Sequence, residues 1–182
     1  MYIHIVQKHE LDRLLDIARS TFIETFADLN DPQDFTAYVD KYFTAEQLEK
    51  EFNTEGSRFY LAEIEGVTIG YCKININRSP LQTDNPKLYF DFTEYADKTM
   101  TEIERIYLKP EYQGKGLAEQ MLVVCKYNAR KFGSTHLWLG VWEKNKKAIR
   151  FYEKMDFDVI GEHVFKIGDD EQRDILMWEN LF

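Results

Sequence analysis

The 182-residue sequence has little of what supports a disulfide framework, a metal site or a membrane span. It contains two cysteines and four prolines, and no apolar run reaches the roughly 20 residues that a bilayer-spanning helix needs. Cys72 and Cys125 lie in a strand-like and a helix-like run and lack the spacing of metal ligands. We therefore interpret both as buried packing thiols, and we predict neither a metal nor a membrane partner.

Positive charge is also scarce. The chain carries 23 Lys and Arg residues against 32 Asp and Glu residues, a formal net charge of −9. This balance argues against direct nucleic-acid binding and suits a cationic partner. Residues 1–8 lack the basic segment and apolar stretch of a secretory signal, so we expect a cytoplasmic location. The length suits a single domain, 1–182, with one core.

Hydrophobic periodicity and turn signals predict a mixed α/β order. Strands are predicted at 2–6, 59–64, 67–76, 103–108, 135–141, 158–165 and 175–179. Helices are predicted at 10–24, 34–42, 45–52, 117–131 and 144–155, and residues 88–92 form either a strand extension or a loop. Thr44 and Gln47 have the spacing of a capping box for the helix at 45–52.

A glycine pair stands between the strand at 103–108 and the helix at 117–131. It belongs to the hexapeptide Gln113-Gly114-Lys115-Gly116-Leu117-Ala118. Glycines there allow a tight turn, and the unpaired amides and positive dipole end of the following helix suit a phosphate. A plain tight turn explains the hexapeptide equally well. Gly116 replaces the hydroxyl residue of a P-loop, and Glu119 replaces the third glycine of a dinucleotide motif, so both motifs are excluded.

In this setting the hexapeptide resembles the pyrophosphate motif of the GNAT superfamily of acyl-CoA-dependent N-acetyltransferases. The resemblance covers residues 102–160 and includes the frame Asn145-x-x-Ala148-x-x-x-Tyr152. Asp156 stands where the family usually has glycine, at a left-handed position that Asp occupies at some cost. The resemblance implies the GNAT fold, with a central, mostly antiparallel sheet whose middle strands splay and which helices flank.

The resemblance also implies acetyl-CoA as co-substrate and assigns residues to it. The strand backbone would pair with the pantetheine arm as an added strand does, and the hexapeptide amides would hold the pyrophosphate. Asn145 would cap its helix and bond the pantetheine. Lys146 and Lys147 are candidates for the 3′-phosphate, with a solvated helix face as the alternative. The full predicted cofactor set is Ile106, Tyr107, Leu108, Gln113, Gly114, Lys115, Gly116, Leu117, Ala118, Asn145 and Lys147.

Acyl transfer to an amine requires a proton acceptor, because an alkylammonium has a pKa of about 10.4. Glu102 and Glu104 are two apart on one strand and hence share a face. By resemblance, Glu104 matches the water-relayed carboxylate of polyamine-acetylating relatives, and Glu102 matches the base of the histone-acetylating branch. We favour Glu104; ion-paired surface carboxylates are the alternative. Tyr152 matches the acid that protonates the CoA thiolate, with core packing as its alternative, and transfer would be direct, in a ternary complex.

The acceptor is predicted from a narrower resemblance. Residues 21–26, 102–107 and 161–165 are similar to the PaiA-type spermidine/spermine acetyltransferases of Gram-positive bacteria, and acidic residues near the cleft would suit a polyamine. These residues are Glu24, Asp28, Asp31, Glu102 and Glu104. His163 either assists proton transfer or packs structurally. Two alternatives stay open, another amine acceptor (a protein N-terminus, an amino acid or an antibiotic) and a non-catalytic CoA-binding regulator. Family members are often dimers, so a homodimer is also an option.

Overall fold

A computed structural model describes residues 1–167 and 170–182 of the chain. In these ranges the helices are α1 (Leu11–Phe26), α2 (Pro32–Tyr42), α3 (Ala45–Phe52), α4 (Leu117–Lys131) and α5 (Lys146–Lys154). The strands are β1 (Tyr2–Ile5), β2 (Ser57–Ile64), β3 (Val67–Ile76), β4 (Lys87–Leu88), β5 (Met100–Leu108), β6 (His136–Trp142), β7 (Asp158–Ile167) and β8 (Asp170–Asn180). The predicted mixed α/β class is confirmed.

The strands belong to one sheet in the order β1-β2-β3-β5-β6-β8-β7-β4. β1 with β2, β4 with β7, β6 with β8 and β7 with β8 are antiparallel, whereas β5 and β6 are parallel. The parallel pairing covers three residue pairs, from Met100↔His136 to Glu102↔Trp138. So short a pairing agrees with the predicted splay of the middle strands.

The chain divides into two compact units. The first comprises Met1–Ile74 and Arg105–Cys125, and the second comprises Asn75–Glu104 and Lys126–Phe182. Strands β3 and β5 and helix α4 therefore contribute residues to both units. The single domain spanning 1–182 stays a prediction.

The first unit has a core between its helices and strands. One face of α1 is apolar and buried, as an amphipathic helix requires, and it packs with α2, α3, β2 and β3 through side chains that include Leu14, Phe22, Phe35, Leu48 and Leu61. Helix α2 begins two residues earlier than the predicted 34–42, because Asp31 accepts hydrogen bonds from the next amides and Pro32 suits the first turn.

The Thr44 cap is confirmed, and the capping box is only half formed. The Thr44 hydroxyl accepts a hydrogen bond from the Gln47 amide at 3.1 Å. The Gln47 side chain instead donates to Glu51 Oε1 at 3.1 Å. Glu51 also receives Lys73 Nζ at 2.8 Å and Arg105 Nη1 at 2.9 Å, so this polar group ties α3 to β3 and β5 within the first unit.

The second unit has its own aromatic core on one face of β6. Trp138 and Leu176 pack with Phe92, Met100 and Ile160. The Trp138 indole donates to the Arg78 carbonyl at 2.6 Å, which satisfies the one polar atom that this buried side chain carries. β5 begins at Met100 instead of the predicted residue 103, and the last strand begins at Asp170 instead of 175, because each continues its pairing outward.

Candidate active site

The predicted phosphate-binding loop lies in the first unit and contains two residues with left-handed backbone. Gly114 has φ of 72° and Gly116 has φ of 73°, a conformation that side chains disfavour. Among the described residues, no atom lies within 4 Å of a Cβ built on Gly114, and the nearest to Gly116 is Glu119 Oε2 at 4.0 Å. The glycines are therefore required by conformation, and the space over the backbone is open.

The loop is attached to the end of β5. Gln113 Nε2 donates to the Leu108 carbonyl at 3.0 Å, and the Gln113 amide donates to the Pro110 carbonyl at 3.1 Å, which closes a short 3-10 turn. Helix α4 then begins at Leu117, and the amides of its first turn have no acceptor within the helix. Together with the helix dipole they can bind an anion.

The other predicted cofactor residues of the first unit border this loop. Leu108 is buried, and the Tyr107 ring packs against Phe26 at 6.2 Å and Tyr71 at 5.9 Å between centroids. Lys115 is exposed, and its Nζ lies 5.6 Å from the centre of the Tyr112 ring. The strand residues are thus held firmly by packing, while the lysine is at the surface.

In the second unit, Glu102 and Glu104 share one hydrogen-bond donor. Asn75 Nδ2 lies 2.7 Å from Glu102 Oε2 and 2.7 Å from Glu104 Oε2. This confirms that both carboxylates lie on one face of β5. Arg78 Nε is 3.9 Å from Glu102 Oε2, at the limit of an ion pair. The two carboxylates thus lie side by side on β5, an arrangement that can attract a cation and accept its proton.

Asn145 precedes helix α5, and Tyr152 lies in its last turn. Asn145 Oδ1 accepts a hydrogen bond from the Ala148 amide at 3.1 Å, which confirms the predicted cap. The Tyr152 side chain is buried, with its ring 5.1 Å from Phe151 and 5.6 Å from Phe157 between centroids. The ring therefore has the packing role named as its alternative, and the acid role of its hydroxyl stays a prediction.

The two predicted lysines and the residue at the usual glycine position lie at the two ends of α5. Lys146 and Lys147 are exposed in the first turn of the helix. Asp156, just after the helix, has φ of 67°, which confirms the left-handed position that the family usually gives to glycine.

The predicted acidic residues of the N-terminal helices have different surroundings. Glu24 and Asp28 are exposed, whereas the Asp31 side chain accepts hydrogen bonds from Gln33 and Asp34 as the cap of α2. Asp31 thus has a structural role within the first unit. A polyamine role for the other two stays a prediction.

Two polar residues of the second unit were missed by sequence reasoning. Asn75 bridges the two glutamates, and Asp174 on β8 lies beside His163 on β7, with Nε2 to Oδ2 at 3.7 Å. Burial raises the pKa of Asp174 to about 7. Burial also lowers the pKa of His163, while the Val164 carbonyl and Asp84 act in the opposite direction. Asn75 had a signal, since it is a polar residue inside the apolar pattern of β3, whereas Asp174 follows the polar run 170–173 and had none.

Cys72 and Cys125 are free and fully buried, which confirms the packing interpretation. Within residues 1–167 and 170–182, no group of three or more His, Cys, Asp or Glu side chains is arranged to hold a metal ion. No helix in the described part of the chain is long and apolar enough to cross a membrane.

Comparison with known proteins extends the resemblance to nearly the whole chain. The family model described as the acetyltransferase (GNAT) family matches residues 11–157. An uncharacterized N-acetyltransferase in the pepI 3′ region of Lactobacillus delbrueckii subsp. lactis is 34% identical over 176 residues, covering 97% of this chain and 95% of the relative.

Two further comparisons bear on the fold and the acceptor. The crystal structure of the PaiA N-acetyltransferase of Thermoplasma acidophilum in complex with coenzyme A has a TM-score of 0.70 at 20% identity and covers 99% of both chains, which shows the shared fold. The spermidine N(1)-acetyltransferase of Escherichia coli is 38% identical over 76 residues, 40% of this chain and 41% of that protein.

Proposed function

The chain belongs to the acetyltransferase (GNAT) family of N-acetyltransferases, and on that premise we propose that it transfers the acetyl group of acetyl-CoA to a primary amine of a polyamine such as spermidine or spermine. The observation that carries the polyamine acceptor is the pair Glu102 and Glu104, both bonded by Asn75 at 2.7 Å. Two neighbouring carboxylates favour a cationic amine and can receive its proton.

Acetyl-CoA binding is supported by the glycine loop. Gly114 and Gly116 turn the backbone through the left-handed region, and the first amides of α4 follow directly. In the proposed complex these amides and those of Gln113 to Ala118 bind the pyrophosphate, because amides at a helix N-terminus stabilise negative charge. The PaiA N-acetyltransferase of Thermoplasma acidophilum, which shares this fold, was crystallised in complex with coenzyme A, and this supports the assignment.

The proposed reaction proceeds in one ternary complex. Glu104, directly or through a water, accepts a proton from the substrate ammonium, and Glu102 adds negative charge beside it. The neutral amine nitrogen then attacks the thioester carbonyl, the new C–N bond forms and the C–S bond breaks. The Tyr152 hydroxyl donates its proton to the departing CoA thiolate, so charge does not build up on sulfur. The second proton that the acylated nitrogen loses restores the Tyr152 hydroxyl, directly or through water.

Part of the chain is also similar to a spermidine acetyltransferase, over 76 residues. This supports a polyamine, and a single amino acid or a protein N-terminus carries fewer spaced cations. An aminoglycoside also carries several, so it is included in the screen below. The non-catalytic regulator is disfavoured by the co-occurrence of Tyr152 with the glutamate pair. The cytoplasmic location and the homodimer remain predictions from the sequence.

The test is a turnover screen that measures release of the CoA thiol with spermidine, spermine, an amino acid, an aminoglycoside and a short peptide. We expect the polyamines to have the highest kcat/KM, by at least about tenfold, an advantage of the size that one hydrogen bond to a charged group supplies. The double variant Glu102→Gln/Glu104→Gln should lose that preference, while Glu94→Gln, an exposed matched control, should keep it.

Two outcomes would contradict the proposal. A higher kcat/KM for any other amine class would assign the enzyme to that class instead. Tight CoA binding without turnover of any amine would favour the regulator.

A further inference from the structure

Asp174 and His163 form a polar pair on the sheet of the second unit. They are directly opposite each other on β8 and β7, and His163 Nε2 lies 3.7 Å from Asp174 Oδ2. Both side chains are less than one-fifth exposed. A carboxylate so placed is costly to ionise unless a cation approaches it.

The strand register places this pair on the same sheet face as the glutamates. Glu102 is opposite Trp138, and Asp174 is opposite Trp142, four residues further along β6. Opposite residues of paired strands share a face, and so do residues four apart on one strand. Glu102, Asp174 and His163 therefore all lie on one face.

Between the two acidic positions, β6 carries a residue without a side chain. A Cβ on Gly140 would lie 3.1 Å from His163 Nε2 and 3.5 Å from Asp174 Oδ2. The backbone of Gly140 is only half-buried. The missing side chain thus lets His163 and Asp174 lie close over the backbone of Gly140, two residues along β6 from the position opposite Glu102.

The separation of the two acidic positions is that of a polyamine. Four residues along β6 span about 13 Å and two strand spacings add about 10 Å across, so the Cα atoms of Glu102 and Asp174 are roughly 16 Å apart. The two side chains shorten this gap by several ångströms. An extended spermidine spans roughly 11 Å between its terminal nitrogens, from nine bonds of about 1.5 Å in a zigzag. A simple monoamine can reach only one of the two positions.

We propose that Asp174, which lies beside His163 and Gly140, is a specificity-determining residue that binds the distal ammonium of a polyamine acceptor while the reacting amine lies at Glu102 and Glu104. The inference rests on the proposed function and deepens it. The raised pKa of Asp174 supports it, because a carboxyl group that burial penalises does not stabilise the fold. A bound ammonium would supply the neighbouring positive charge that stabilises the ionised Asp174 carboxylate.

The test compares two acceptors with one protein. The ratio of kcat/KM for spermidine to kcat/KM for propylamine does not depend on the folded fraction of a preparation. We expect Asp174→Asn to lower this ratio about tenfold. Asp158→Asn, an exposed change on β7 with the same chemistry, should leave the ratio within twofold of wild type.

A second variant keeps the test decisive if Asp174→Asn folds poorly. Gly140→Ala places a methyl group against His163 and Asp174, and it should lower the same ratio. If the wild-type protein turns over spermidine and the ratio is unchanged in both variants, the role of Asp174 would be overturned while the proposed function would stand. Absence of wild-type polyamine turnover would instead overturn the proposed function, and the inference with it.

Discussion

The glycine loop of the first unit and the carboxylate site of the second unit are built from different materials. The loop consists of backbone, with Gly114 and Gly116 left-handed and the amides of α4 as donors. The carboxylate site consists of side chains from β3 and β5 that meet through strand pairing at Asn75. A backbone site tolerates few substitutions at its glycines, whereas one substitution in a side-chain site can change which ligand it prefers.

This difference suggests a division of labour for the family. In the proposed function, the acyl donor would be held by backbone geometry that depends on the two glycines. The acceptor would be selected by side chains on strands whose backbone does not depend on them.

The largest effect is expected from Gly116→Val, which puts a β-branched side chain at φ of 73°. Strain together with lost amide–phosphate bonds should weaken CoA binding by about a thousandfold, measured by calorimetry. Gly133→Val is the matched control, since Gly133 has φ of 79° at the far end of α4. If Gly116→Val bound CoA as wild type does, the backbone account of the loop would be wrong.

Tyr152→Phe should lower kcat about a hundredfold, the usual scale for loss of a general acid. The ring still packs against Phe151 and Phe157, so CoA affinity should stay within twofold. Steady-state kinetics and CoA titration measure the two quantities. Tyr127→Phe, on the exposed face of α4, serves as control. An unaltered kcat would assign Tyr152 to packing alone.

The two glutamates can be separated by single variants. Glu104→Gln should lower kcat about thirtyfold, less than the usual loss of a general base because Glu102 remains beside the substrate. Glu102→Gln should act mainly through a severalfold rise in the spermidine KM. Both variants retain an acceptor oxygen for Asn75. The reverse pattern would make Glu102 the base.

The specificity ratio for spermidine over propylamine should depend on pH. Burial raises the pKa of Asp174 to about 7, and only its ionised form attracts an ammonium. Two titratable groups face this region, His163 from β7 and Asp84 from the segment before β4. Strand β6 contributes only Gly140 and Trp142, neither of which titrates. The ratio should rise up to about tenfold between about pH 6 and pH 8. A flat profile in wild type would contradict the Asp174 site.

The smallest effect is on stability and has a defined sign. The pKa of Asp174 is about 7 in the fold and ordinarily 3.8, so the native state binds more protons between these values and stability falls as pH rises through this window. Asp174→Asn removes that loss, which should amount to about 2 kcal/mol, or roughly 5 °C in Tm, between pH 5 and pH 8. Thermal melts at both values test this. An equal pH dependence in wild type and variant would show that Asp174 is not the group responsible.

Local signals made part of this molecule predictable. The hexapeptide from Gln113 to Ala118, the Asn145 cap and the left-handed residue 156 are each defined by neighbours in sequence. The shared face of Glu102 and Glu104 follows from the two-residue period of a strand. These features need no knowledge of the pairing of distant strands.

The remaining features depend on contacts between distant segments. Asn75 meets the glutamates 27 and 29 residues later, and Asp174 meets His163 through the β7–β8 register. The early start of β5 at Met100 likewise results from its pairing with β6. Such partners are set by register, which local periodicity does not encode.

The Asn75 amide, which bonds both glutamates, also sets a chemical lifetime for the site. Hydrolysis of the Asn75 side chain would replace its nitrogen, 2.7 Å from each carboxylate, with a third carboxylate oxygen. Three mutually repelling acids would then share a proton or move apart. Ageing protein would thus lose the arrangement through a change of one mass unit at one residue, while Gly114 and Gly116, which carry no amide side chain, would be unchanged.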